Sequence, residues 1–89
     1  MPLKVFYSAA FKRAVKKLSK ELQVILVEKG RLFENDPFHP TLRTHKLTGS
    51  LQGLWGFSLD YRHRVVFEFV DKQKVILHSV GDHSIYRKK

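Results

Sequence analysis

The stretch LWGFSLDYRHRVVFEFV, Leu54–Val70, decides the fold. Two alternations run through it. Trp55, Phe57 and Leu59 alternate with Gly56, Ser58 and Asp60; His63, Val65, Phe67 and Phe69 then alternate with Arg62, Arg64, Val66 and Glu68. A period of two belongs to a strand with one buried face. Residues 54–59 and 62–70 are therefore predicted as antiparallel neighbours. Parity sends Trp55, Phe57, Leu59, Val65, Phe67 and Phe69 to the core. It leaves Gly56, Ser58, Asp60, Arg62 and Arg64 together on an open face, where folding alone has no need of arginine.

Downstream, Asp71-Lys72-Gln73-Lys74 reads as a polar turn and Val75–Val80 as the last strand, ended by Gly81, where the backbone is expected to turn sharply. Upstream, the order changes to helices. Leu3–Tyr7 is a short strand. Ser8 is placed to cap a helix in which Phe11, Ala14, Val15 and Leu18 share one face, with Lys12, Arg13, Lys16, Lys17 and Lys20 on the other. Ser19 is a second cap, with Glu21 in the first turn to complement the helix dipole. Leu22, Ile25, Leu26, Leu32 and Phe33 continue the helical period to about Glu34, and Asn35-Asp36-Pro37 stops it. Asp36–Ser50 reads as a loop. The order β-α-α-β-β-β predicts an α+β domain over residues 1–89: an N-terminal strand, a helical hairpin and a mainly antiparallel meander of three or more strands.

Composition narrows the function classes. With 89 residues the chain is expected to be one domain with a small core. A net charge of +9 on so short a chain attracts polyanions, nucleic acid first and an acidic protein second. Absence of cysteine excludes disulfides, a thiolate nucleophile and a cysteine-based zinc site. No secretory leader or bilayer-spanning run is read in the sequence, so a cytoplasmic protein is expected.

The segment DPFHPTLRTHKLTGSLQGLWGFSLDYRHRVVFEF, followed by ILHSVGDHSIYR, resembles the RelE/ParE superfamily of type II toxins. HKLTG, DYRHRVVFEF and GDHSIYR resemble its RelE and YafQ branches in particular. The resemblance implies a compact αβ fold and a metal-independent endoribonuclease that cuts messenger RNA, typically on the translating ribosome. It also implies an acidic antitoxin partner, with operator DNA bound only through the antitoxin complex. Residue by residue, His45 and His83 match catalytic histidines of the YafQ branch. Arg64 matches the arginine that holds the scissile phosphate in RelE, and Tyr86 the C-terminal aromatic that orients the substrate. The chain departs from the pattern at Gly56 and Ser58, where RelE has lysines, and at Arg62, where YafQ has an aspartate.

These residue types suit the chemistry. RNA carries its own nucleophile, the 2′-OH. Its cleavage needs a base, an acid for the leaving oxygen, and a cation for the phosphorane. Imidazole, with a pKa of ~6.5, can serve as base or acid near neutral pH. A guanidinium keeps its charge and offers phosphate a fork of donors. His83 is expected to act as acid or base with help from His45, while Tyr86 positions the RNA. Ser58, Arg62 and the tail Arg87, Lys88 and Lys89 are further expected substrate contacts. His63 reads as structural by parity, His39 as a loop residue, and His78 fits no clean alternation. No pair of histidines has metal-ligand spacing, and no cofactor is expected. Two other classes remain open: a ParE-like, non-enzymatic inhibitor of DNA gyrase, and a nucleic-acid-binding module with a degenerate site.

Overall fold

The computed structural model of the chain describes residues 2–82. Its elements are β1 (Lys4–Tyr7), α1 (Ala9–Lys16), α2 (Lys20–Asn35), β2 (His45–Lys46), β3 (Trp55–Ser58), β4 (His63–Asp71) and β5 (Lys74–Asp82), with 3-10 turns at Pro40–Leu42 and Gly49–Leu51. They form an α+β fold with a five-stranded sheet in the order β1-β5-β4-β3-β2. The β2, β3, β4 and β5 strands pair antiparallel, as expected of a meander.

Both expected caps are present. The Ser8 hydroxyl accepts from the Phe11 amide at 3.0 Å and the Ser19 hydroxyl from the Leu22 amide at 3.1 Å, each satisfying a donor that the helix start leaves unpaired. Ser8 does more. Its hydroxyl donates to the His78 carbonyl and its amide to the Leu77 carbonyl, so the start of α1 is fastened to β5.

Parity on the helix side holds throughout. Trp55 stands opposite Phe67 and Phe57 opposite Val65. Phe33 of α2 lies over them, stacked on Phe57 with ring centroids 4.4 Å apart and edge-on to Phe67 at 4.7 Å. Phe33, Phe57, Phe67, Leu42, Val65 and Val75 are fully buried. Phe38 closes one end of this layer against Trp55 and Phe69.

The structure corrects several expectations. Within the presumed loop, His45 and Lys46 pair with Gly56 and Trp55 as the edge strand β2. Lys46 packs its ammonium over the Trp55 ring, 5.7 Å from the centroid, which anchors so short a strand. The turn between β4 and β5 is shorter than expected, because Asp71 and Lys74 are themselves paired. Gly81 does not end the last strand. Gly81 pairs with Arg64 and Asp82 with His63, so the ladder runs past it. Positive φ angles occur instead at Gly49, Gly53 and Arg43.

The second face of the sheet is not the open polar surface expected either. Gly56, Ser58 and Val66 at its centre are all buried. Asp60 and Arg62 do not share it as strand residues; they belong to the turn joining β3 to β4. His78 fits no alternation because it is the extra residue of a β-bulge: Val66 pairs with Ser79, but Phe67 pairs with Leu77. Its Nε2 donates to the Glu68 carboxylate at 2.8 Å.

Candidate functional site

Directly paired residues of an antiparallel ladder point to the same face. The register therefore sets His45, Gly56, Val66 and Ser79 in one row across the second face, and Ser58, Arg64 and Gly81 in the next. His45 and Arg64 thus share a face, as the sequence suggested. Two strand spacings and two residues along β4 place their Cα atoms about 12 Å apart. Gly56 and Ser58, both small residues, lie between them. His45 is exposed and Arg64 half-buried, so the accessible groups form a rim around a buried centre.

His45 is held by its backbone surroundings. Its Nδ1 lies 2.9 Å from the Arg43 carbonyl, which can only accept, so Nδ1 carries the proton and Nε2 is the basic nitrogen of the neutral ring. Arg43 has a φ of 51°, the left-handed region. It is the C-cap of the Pro40–Leu42 turn, and its conformation swings the chain from that turn into β2.

Arg64 is held by the turn before it. Its Nη1 donates to the Asp60 carbonyl at 2.7 Å and to the His63 carbonyl at 3.1 Å. The turn is itself fixed by the Asp60 side chain. One carboxylate oxygen accepts from the Arg62 amide at 2.9 Å, the His63 amide at 2.8 Å and His63 Nδ1 at 2.9 Å. The Leu59 amide closes the loop onto the His63 carbonyl.

Partial burial works to raise the Asp60 pKa. The hydrogen bonds from the His63 side chain and the Arg62 and His63 amides, with the nearby imidazole charge, outweigh it and hold the carboxyl below the usual aspartate range. A depressed folded-state pKa stabilises the fold above the unfolded value and loses that contribution as pH falls through the folded one. Asp60→Asn should therefore melt below wild type at neutral pH, and the gap should close as the buffer is taken below the aspartate range. A gap that stays constant from neutral to acid would show that the carboxylate charge does not hold the turn.

Ser58 is the buried polar residue of the site, 7% exposed. Among the described residues its hydroxyl has no hydrogen-bond partner. Buried hydroxyls are normally satisfied, by protein groups or by ordered water. Arg62 is exposed in the β3–β4 turn. His83, Tyr86, Arg87, Lys88 and Lys89 lie outside the described residues. Asp60 is a fixing group that strand parity does not reveal, although an aspartate two residues before the amide it binds is a recognisable turn signal. Among the described residues, no group of three or more His, Asp or Glu is placed to hold a metal ion, and no helix is long and apolar enough to cross a membrane.

No family model matches the chain, and no curated protein matches it in sequence. Solved structures do match its backbone. YafQ of E. coli is 17% identical with a TM-score of 0.77, covering 93% of this chain and 96% of that one. The RelBE2 toxin–antitoxin complex of Mycobacterium tuberculosis is 18% identical with a TM-score of 0.77, covering 93% and 100%. The E. coli DinJ–YafQ toxin–antitoxin complex is 17% identical with a TM-score of 0.76, covering 96% and 97%. Identities this low carry the fold alone, and the fold is the RelE/ParE-like one that the sequence resemblance implied.

Proposed function

We propose that the chain is the toxin of a type II toxin–antitoxin pair and a cytoplasmic endoribonuclease that cuts messenger RNA on the translating ribosome. One observation carries the reading. His45, with its tautomer fixed, and Arg64, a phosphate-binding group, share one face on either side of the buried Ser58.

The chemistry follows from these groups. Arg64 binds the scissile phosphate and stabilises the charge that builds on it. A histidine takes the 2′-OH proton, and the 2′-oxygen attacks phosphorus. The P–O5′ bond breaks, and a second acid protonates the leaving 5′-oxygen. The products are a 2′,3′-cyclic phosphate and a 5′-OH. Nε2 of His45 has the tautomer for the first step. His83 is the proposed second proton-transfer group, and Tyr86 and the tail cations Arg87, Lys88 and Lys89 are proposed to hold the RNA. Ser58 and Arg62 would add contacts to the phosphate backbone.

A toxin needs a neutralising partner. An apolar groove of about 630 Å³ runs between α1, α2 and β1 on the other side of the molecule, lined by Val5, Tyr7, Phe11, Val15 and Leu26 and edged by three cations, Lys12, Lys16 and Arg31, and one carboxylate, Glu34. An apolar floor with a basic rim suits an acidic amphipathic segment of an antitoxin. Expression of the chain alone should arrest growth, and co-expression with a small acidic protein encoded beside it should relieve the arrest.

The deciding experiment incubates the purified chain with ribosomes stalled on a defined message and maps the ends. New fragments ending in 2′,3′-cyclic phosphate support the reading. An intact message combined with inhibited gyrase supercoiling would replace it with the non-enzymatic alternative.

A further inference from the structure

Tyr61 is the most exposed of the large hydrophobic residues on the described surface, at 90%. It stands in the turn joining β3 to β4, and among the described residues its ring has no aromatic or cationic partner. Single exposed aromatics are ordinary on protein surfaces, so exposure alone says little. The setting is what distinguishes this one. The Asp60 carboxylate fixes the turn through three donors. The carbonyl that Arg64 grips at 2.7 Å belongs to the peptide group joining Asp60 to Tyr61. The ring is thus displayed by a rigid turn, one peptide unit from a guanidinium, with the exposed Arg62 next to it in the chain.

We propose that Tyr61 stacks against a base of the RNA strand whose phosphate Arg64 holds. The inference rests on the RNA-cleaving reading above and adds a binding residue to it. The Arg64 guanidinium meets the backbone at the Asp60 carbonyl, the peptide group that leads into Tyr61, so a phosphate held by the one and a base against the other can belong to one strand. Single-stranded RNA is commonly recognised this way, by aromatic rings that stack on unpaired bases beside cations that hold the backbone. A turn fixed beforehand spares the ordering cost of bringing the ring into place. The Asp60 side chain, through the turn, is then a positioning residue for both Tyr61 and Arg64.

The test uses a single-stranded RNA with 2′-O-methyl groups, which cannot be cut because its nucleophile is blocked. Binding is followed by fluorescence anisotropy for the wild-type chain, Tyr61→Phe and Tyr61→Ala. Tyr61→Phe should bind as wild type, because stacking needs the ring and not the hydroxyl. Tyr61→Ala should bind roughly tenfold more weakly, with an unchanged melting temperature because the side chain is almost wholly exposed. Removing the base at one nucleotide should cost wild type a similar factor and Tyr61→Ala nothing further. Equal binding by Tyr61→Ala and wild type overturns the proposal, as do equal abasic losses in both, or a variant that loses only the acidic partner. If wild type binds this strand through Tyr61 but cuts no natural message, stacking stands and the ribonuclease reading falls. If wild type cuts message and Tyr61→Ala cuts it with unchanged KM, the reverse holds.

Discussion

Arg64→Ala should fold as wild type does and lose roughly 10²–10³-fold in the rate of message cleavage, the effect of deleting one preorganised charged contact to a transition state, about 3–4 kcal/mol. The side chain leaves β4 on the face away from Phe33, and its opposite neighbours are Ser58 and Gly81. Truncation therefore opens no cavity in the core. What is lost from the folded state is a pair of hydrogen bonds to the Asp60 and His63 carbonyls, in a half-exposed setting where each is worth about 1 kcal/mol or less. The melting temperature should fall by only a few degrees. Arg64→Lys separates charge from shape. It keeps the cation but loses the planar fork that can grip two peptide carbonyls and a phosphate together, so it should recover part of the rate and not all of it. An Arg64→Ala protein with undiminished cleavage would remove the residue from the site.

Phe33→Ala should cost about 3–5 kcal/mol of stability, the usual range for deleting a buried phenyl ring. Phe33 is 1% exposed and is the piece of α2 that touches both central strands, stacking on Phe57 and meeting Phe67 edge-on. A small domain commands only about 5–15 kcal/mol in total. The loss should lower the melting temperature by roughly 15 °C or more. Val24, on the same helix but 58% exposed, serves as the control, and Val24→Ala should move the melt hardly at all. A Phe33→Ala chain that melts with wild type would mean that the α2–sheet contact does not hold the fold together.

The parts of the fold that could be read from the sequence are those with local causes. Ser8 and Ser19 announce their helices because a cap acts within three residues, and the Trp55–Phe69 alternation reports the pleat itself. What could not be read depends on distant partners. His45 and Lys46 are a strand only because Gly56 and Trp55 lie beside them. Gly81 and Asp82, poor strand formers, stay extended because Arg64 and His63 pair with them. His78 breaks the alternation because a bulge inserts it. The site divides in the same way. Strand parity was enough to put Arg64 on its face, whereas the family resemblance was needed to single out His45. The link from Asp60 through the turn to Arg64 is a hydrogen-bond arrangement that no periodicity encodes, and Tyr61 carried no signal beyond being an aromatic residue among charges.

The pairing of β1 with β5 has a consequence for synthesis. Lys4 lies beside Lys74, and Ser8 is fastened to the β5 carbonyls of Leu77 and His78. Contacts this far apart in the chain close late. While a ribosome is still making the chain, β1 and the start of α1 have nothing to dock on until β5 has cleared the exit tunnel. The sheet on which Arg64 and His45 come together is therefore completed only after β5 has been made, and a nascent chain stalled before Lys74 should leave the β1 amides unprotected against hydrogen exchange.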